Sequence, residues 1–561
     1  MSVDFGLQLF FNQQFFSSTN PDLIIVTAIV QRTGVLAGPQ PVRLELVLSA
    51  DNAWDSSDVV LVSRDLIFTP NTAGSGVNFT LDLRHSAISR GAFTILARVD
   101  SQNKIVETNE SNNEGMLQGS AAGADAVLEW ISASLSAVMT EGQQGRGVGP
   151  TVGTRMLAML STAIYDTVCG FNTTQTPYRF NFDAPTGASR DAAIIGAASR
   201  LLNQLLPGQA DYFAARRSAS LAKLGSLPGS ALTAGLAFGE QMADRVIAAR
   251  ALDGSTNSAP YVPPTRLDGY VWKPQVSGPT AGVALGPHWG EVTPFAISNV
   301  EAFLPVGGLE ARPDRNYAKY VAQLEEVRLY GGLTATAKSP VLRTADQTEM
   351  AKFWAYDRPD TYRPYGQINQ IAVDLSLKSG GLTVEKNAAL FAALNVALAD
   401  AVIVAWEAKY NELQPRPSDL ITGQVVDANG KAVAPVVDTA WRSLLSEING
   451  VQSPPFPDYL SGHSSMGGVF SEVMTHYFGN NRTFDAYSQE MPYAVPRRGI
   501  KRTFNGFWDN GVFRNSFYQA GWEDALSRIY GGVHIREACE DSFFMGQQVG
   551  AFVAKQFFQT A

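Results

Sequence analysis

The sequence predicts a multidomain chain, an N-terminal antiparallel β-sandwich followed by a mainly α-helical bundle. Three observations carry this. The chain has 561 residues, too many for one compact core. Apolar residues alternate at period two over the first fifth. From Ala126 onward the apolar spacing becomes helical.

The alternating part comes first. Leu23 to Val30 is an apolar β-branched run, and Val42-Arg-Leu-Glu-Leu46 alternates strictly. Val77 to Leu83 and Phe93 to Val99 do the same, with Gly, Pro, Asn and Asp between the runs. This predicts a sandwich over residues 1–116. The small and polar stretch 117–125 reads as a linker. Helices are predicted around Met156 to Val168, Ala193 to Leu205 and Ala231 to Ile247. Lys386 to Tyr410 is long, Ala-rich and almost wholly apolar, so it should be buried on most faces. Val469 to Phe478 and Ser542 to Phe558 complete the helical domain, 126–561, whose connections, such as 253–295, are long and rich in Pro and Gly.

Composition narrows the function. Apolar residues make up 45% and charged residues 17%, as in ordinary globular proteins. The net charge is −9 and the pI near 5.3, which argues against nucleic-acid or anionic-membrane partners. No apolar run of bilayer-spanning length is expected, and no signal peptide is visible at the first residues. Two cysteines, Cys169 and Cys539, exclude a disulfide framework; buried free thiols are the expectation, although one disulfide stays open.

Three motifs carry the chemistry. Lys409-Tyr-Asn-Glu-Leu-Gln-Pro-Arg416-Pro417 ends the long helix with two cations beside a rigid turn. Taken alone, this reads as a cationic helix terminus. Phe456-Pro-Asp-Tyr-Leu-Ser461-Gly462-His463 runs into a helix starting near Ser464. It offers a hydroxyl, an uncovered backbone N–H and an imidazole at a helix N-terminus, a natural anion site; an ordinary Ser cap is the plain alternative. Ser527-Arg528-Ile-Tyr-Gly531-Gly532-Val533-His534 has a Gly pair whose turn can face a forked cation and an imidazole toward one point; taken alone, it reads as a solvated Arg and a core His. Two of the five histidines fall in these Gly-bearing motifs.

Together, in this order, the motifs resemble the superfamily of vanadium-dependent haloperoxidases and type 2 phosphatidic acid phosphatases. Trp406-Glu-Ala-Lys409 and the run Pro454 to His463 resemble the haloperoxidase branch. The resemblance implies a vanadate cofactor, or phosphate in its place, with His534 as the metal ligand. It implies Lys409, Arg416 and Arg528 around the oxygens, Ser461 and the Gly462 N–H as donors, and His463 as the acid–base group. It implies hydrogen peroxide, a halide and a small organic compound as reactants, with a hypohalous product. Phe456 and Trp406 would wall the pocket, and Phe456 resembles the chloroperoxidases rather than the bromoperoxidases. His288-Trp289-Gly290 reads either as pocket mouth or as a core or surface site. Clustered cations should depress both histidine pKa values.

One position departs from the pattern. An Asp often lies four residues beyond the axial His, and here that place is Ala538; Glu537, Glu540, Asp541 or a backbone carbonyl is expected instead. Two other functions fit the sequence: a soluble acid phosphatase working through a phosphohistidine on the same site, and a secreted binding or adhesion protein with an inactive enzyme domain. The segment 92–113 resembles the bacterial Ig-like CARDB modules, which implies a docking spacer and a secreted or cell-surface setting. A homo-oligomer is expected by the resemblance.

Overall fold

The computed structural model describes residues 3–12, 23–49, 54, 59–82, 92–100, 104–105, 107, 113–120, 125–172, 175–225, 227–265, 270–378, 382–427, 429–488 and 500–558. The chain divides into two compact units. Met1–Glu129 with Ala210–Gly225 form one, and Trp130–Gln209 with Ser226–Ala561 the other.

The first unit contains β1 (Val3–Asn12), β2 (Leu23–Gly34), β3 (Gln40–Ser49), β4 (Val59–Phe68), β5 (Gly74–Asp82), β6 (Ala92–Val99) and β7 (Glu114–Ser120). They form two antiparallel sheets, β1-β2-β5 and β4-β3-β6-β7. Phe5, Val30, Val42, Leu44, Phe68 and Val99 fill the core, and Phe5 meets Phe68 edge-on at 5.1 Å. The expected sandwich is present. The expected linker begins later than 117, because Leu117–Ser120 pair with Ala92–Ile95 as the end of β7. Leu83, and most of the 101–113 segment that carries the CARDB resemblance, lie outside the described residues.

Helices follow: α1 (Ala126–Gln143), α2 (Pro150–Cys169), α3 (Arg190–Leu205), α4 (Ala210–Lys223), α5 (Gly229–Ala249), α6 (Tyr317–Tyr330), α7 (Ala345–Phe353), α8 (Arg363–Lys378), α9 (Val384–Glu412), α10 (Pro417–Ile421), α11 (Ser446–Asn449), α12 (Gly462–Phe478), α13 (Ser516–Tyr530) and α14 (Arg536–Gln556). Two small hairpins, β8 (Phe484–Ser488) with β9 (Ile500–Phe504) and β10 (Phe507–Asp509) with β11 (Val512–Arg514), interrupt this domain. Their strands have three to five residues, too short to show a period against helical surroundings.

Helix α9 runs through the core of the second unit, packed by α2, α12 and α14. One expectation fails here. Val384–Ile421 is long and apolar enough to cross a membrane, yet its most apolar window is entirely buried inside the protein. Its alanines admit close neighbours. Asn395, midway along, bonds Asn369 of α8 and Ser161 of α2 at 2.9 Å each, a polar lock in an apolar interface. Asp400 accepts the backbone N–H groups of Phe295, Ala296 and Ile297 at 2.6–3.0 Å, which anchors the end of the Pro/Gly-rich connection.

Glycines set the spacing of the last three helices. A Cβ on Gly467 of α12 would lie 2.6 Å from the Gly521 carbonyl oxygen of α13. On Gly468 it would lie 2.1 Å from the Phe543 carbonyl oxygen of α14, and on Gly546 the same distance from that of Ser465. Backbone therefore rests on backbone along both seams. Both cysteines are free and buried.

Candidate oxyanion site

The seams gather the three motifs. Lys409 lies in the last turn of α9, fully buried. It does not serve its own helix end. Leu413 closes α9 in a left-handed conformation, and the Lys409 Nζ donates instead to the carbonyls of Pro457 and Asp458, at 2.9 and 3.0 Å. Arg416, just before Pro417, donates from Nε to the Phe456 carbonyl at 2.7 Å and from Nη1 to that of Val533 at 2.8 Å. The two cations of the first motif thus grip the second, and Arg416 also grips the third.

The Phe456 ring lies under both cations, 4.9 Å from Lys409 Nζ and 4.7 Å from the Arg416 guanidinium carbon. Trp406 stands one turn before Lys409, with its ring 5.1 Å from that of Phe456. Its indole N–H bonds the Leu285 carbonyl. A Cβ on Gly462 would meet Trp406 at 3.2 Å, so the ring covers the start of α12.

That helix begins at Gly462, two residues earlier than expected, because Ser461 caps it. Ser461 Oγ accepts from the Ser464 N–H at 3.3 Å and from the Ser464 hydroxyl at 2.9 Å. Both acceptor positions are then used, and its own O–H hydrogen remains to donate elsewhere. The Gly462 N–H belongs to the first turn, where no intrahelical acceptor exists. His463 Nε2 lies 3.0 Å from the Ala355 carbonyl, which makes it the protonated nitrogen and leaves Nδ1 basic. Burial, reinforced by Arg528, pushes the His463 pKa down to about 4.

Arg528 ends α13, and Gly532, with φ +80°, turns the chain so that Val533 N–H returns to the Arg528 carbonyl. His534 follows, buried, its Nε2 3.2 Å from Arg416 Nη1. Its pKa is lowered well below that of a free histidine, first by burial and then by Arg416 and Lys409. Both histidines shift in the expected direction, with burial the larger cause and the cations second. Burial also lowers the Lys409 pKa strongly, and that of Arg416 to about 10.

Among the described residues, three donors of this group have no hydrogen-bond partner: Arg416 Nη2, Arg528 Nε and Arg528 Nη1. Both side chains are almost completely buried. Buried guanidinium N–H groups demand acceptors. Together with the Ser461 hydroxyl and the α12 N-terminus they form the donor set of an oxyanion, and His534 Nε2 adds one nitrogen lone pair. A tetrahedral or five-coordinate oxyanion fits that chemistry.

The comparisons with known proteins bear on the same part of the chain. The family described as the VCPO second helical-bundle domain matches residues 389–560, the stretch that holds all three motifs. A vanadium chloroperoxidase of Curvularia inaequalis is 27% identical over 467 residues, covering 69% of this chain and 74% of that protein. The crystal structure of a bacterial vanadium-dependent iodoperoxidase has a TM-score of 0.60 at 25% identity, covering 76% of this chain and 96% of the other. Over the matched residues the chain resembles the vanadium haloperoxidases. An apo bacterial vanadium-dependent chloroperoxidase shares the fold, at TM-score 0.54 and 15% identity over 73% of this chain and 94% of that one. The haloperoxidase relatives are named for different halides, so likeness alone does not assign one here.

Two carboxylates escaped the sequence reading. Asp357 accepts from Arg528 Nη2 at 2.6 Å and lies 3.8 Å from His463 Nε2. Burial would raise its pKa, but Arg528 and His463 outweigh it and hold it low. It lies 171 residues before Arg528, in a loop without motif character, and no local signal marks it. Asp458 stood inside the second motif but received no role. It is buried, with Oδ1 2.5 Å from His534 Nδ1. The substitutes expected for Ala538 are engaged elsewhere: Glu537 with backbone of residues 310 and 311, Glu540 with Arg536, Asp541 with Tyr459. His288 is a surface-side residue tied to Glu291 and the Ala259 carbonyl.

Proposed function

We propose that this protein is a vanadate-dependent haloperoxidase, oxidising halide with hydrogen peroxide to a hypohalous species that halogenates small organic compounds. The observation that carries the reading is the pair of buried arginines whose unpartnered N–H groups accompany the His534 Nε2 lone pair. When bound, vanadate supplies a Lewis-acidic centre that activates peroxide without changing oxidation state.

The chain's own residues have separable tasks in this reading. Arg416 and Arg528 neutralise oxyanion charge, and the Ser461 hydroxyl and Gly462 N–H orient it. His534 offers its Nε2. Lys409 spends two donors on the Pro457 and Asp458 carbonyls and keeps the third for a reacting oxygen. His463, held neutral with Nδ1 basic, accepts a proton. Trp406 and Phe456 wall the halide approach and exclude water; the Phe at 456 supports chloride competence. The N-terminal sandwich is proposed as a docking module in an exported protein.

Halogenation of an organic acceptor by metal-free protein, assayed with peroxide and bromide before and after orthovanadate, tests this. Chloride and a phosphate ester run in parallel. Activity that needs vanadate and vanishes in His534→Ala supports the proposal. Ester cleavage without vanadate, blocked by vanadate and without halogenation, assigns the phosphatase reaction instead. Silence in both arms favours a binding protein.

A further inference from the structure

An imidazole can present a lone pair to a ligand from only one ring nitrogen at a time, and the partner of the other nitrogen decides which. In this chain two neighbours make that choice for His534. The Asp458 Oδ1 lies 2.5 Å from Nδ1, at ion-pair range. Arg416 Nη1, which can only donate, lies 3.2 Å from Nε2 and farther, 3.5 Å, from Nδ1. A hydrogen on Nε2 would oppose the arginine, and a lone pair on Nδ1 would oppose the carboxylate. Both constraints select the tautomer with the hydrogen on Nδ1.

Asp458 is held through its backbone and Oδ2, while Oδ1, beside His534, has no hydrogen-bond partner. Its backbone N–H donates to the Gln414 carbonyl at 2.9 Å, and its carbonyl accepts from Lys409 Nζ at 3.0 Å. Its Oδ2 receives the Ile535 N–H at 3.4 Å, and Arg416 Nη1 lies 3.8 Å from Oδ1. The side chain has no exposed surface. Ala538 cannot perform this duty, and Glu537, Glu540 and Asp541 have the other partners already named.

We propose that Asp458 is the positioning residue for His534, orienting the ring and holding its hydrogen on Nδ1 so that Nε2 faces the oxyanion. This rests on the haloperoxidase reading. The carboxylate is supplied from the loop before α12 rather than from the first turn of α14, where the sequence pattern would seek it. Asp458 touches neither the oxyanion nor a reactant; it acts through the histidine.

The test uses the full chain with Asp458→Asn, Asp458→Ala, His534→Ala and the double variant Asp458→Ala/His534→Ala. Vanadate and inorganic phosphate affinities are measured by calorimetry, and the His534 tautomer by NMR of 15N-histidine-labelled protein. Phosphate is held by the charged cradle alone, whereas vanadate also uses the nitrogen. Loss of Asp458 should weaken vanadate about 10- to 100-fold, leave phosphate affinity unchanged, and remove the Nδ1–H signature. The double variant should bind vanadate no worse than His534→Ala. Asp458→Asn keeps the shape should the alanine variant fold poorly. Wild-type vanadate affinity and tautomer in Asp458→Asn overturn the inference, as do equal losses of vanadate and phosphate. If His534→Ala itself leaves vanadate binding intact in a protein that otherwise binds it, the inference and the role of His534 both fall. If the wild-type protein does not prefer vanadate to phosphate, the haloperoxidase reading fails first and the inference falls with it.

Discussion

Replacing Gly468 by alanine places a methyl carbon 2.1 Å from the Phe543 carbonyl oxygen, 2.8 Å from the Gln547 amide nitrogen and 3.0 Å from the Phe543 carbonyl carbon. All three atoms are backbone, so no side chain can swing away. Ordinary contact requires α12 and α14 to part by roughly 1 Å along that stretch. Overpacking of this kind costs about 1–3 kcal/mol. The same seam joins the two halves of the site. Ser461 N–H bonds the Ala538 carbonyl at 2.9 Å and the Ser542 hydroxyl at 2.7 Å, and His534 enters α14 as His463 enters α12. A misplacement approaching 1 Å lowers turnover by about 100-fold. Urea unfolding and vanadate-dependent halogenation of Gly468→Ala measure the two effects. Gly229→Ala, at the start of α5 where an added Cβ meets nothing within 4 Å, is the control and should not lose stability. A Gly468→Ala protein within about 0.5 kcal/mol of wild type, with full turnover, would refute the view that backbone contact sets the site.

Other outcomes follow from the same geometry. His463 has its pKa lowered from 6.5 to about 4, so the unfolded chain binds its proton more readily; its contribution to stability is present above pH 6.5 and lost as pH falls toward 4, by roughly 3 kcal/mol. His463→Gln should flatten the stability profile across that window, and a profile parallel to wild type would count against the shift. Phe456→Leu removes the ring beneath Lys409 and Arg416; two cation–π contacts at about 0.5–1 kcal/mol each should appear as lost stability in denaturant titration. Orthovanadate at 100 times its dissociation constant should stabilise the metal-free protein by about 2.7 kcal/mol, read as a rise in melting temperature, and His534→Ala should retain less of that gain.

The sequence made the two fold classes legible because both have strong patterns: an apolar β-branched run in β2, alternation in β3, β5 and β6, and long apolar helices in α2, α5 and α9. The short strands β8–β11 and the amphipathically weak α6 and α7 have no such signal. The site followed the same division. Lys409, Arg416, Ser461, Gly462, His463, Arg528 and His534 sit in compact motifs with Pro or Gly beside them, and the fold brings all three motifs together. Asp357 comes from a distant loop and needed the tertiary structure to be seen. Asp458 lay in plain view, yet its partner is 76 positions away in sequence, and nothing local distinguishes a carboxylate aimed at a histidine from one aimed at solvent.

Helix α9 has a consequence for how the chain comes into being. Of the helices packed on it, α2 and α8 precede it in sequence, whereas α12 and α14 follow. During synthesis a segment apolar enough for a bilayer emerges from the ribosome while α12 and α14, which cover much of it, have not yet been translated. Until residues near 556 are made, that surface has no native cover and is open to aggregation or capture by chaperones. The last helix therefore acts as the closing step of assembly. Chains ending before α14 should accumulate as insoluble or chaperone-bound species, although every residue of the first two motifs is already present in them.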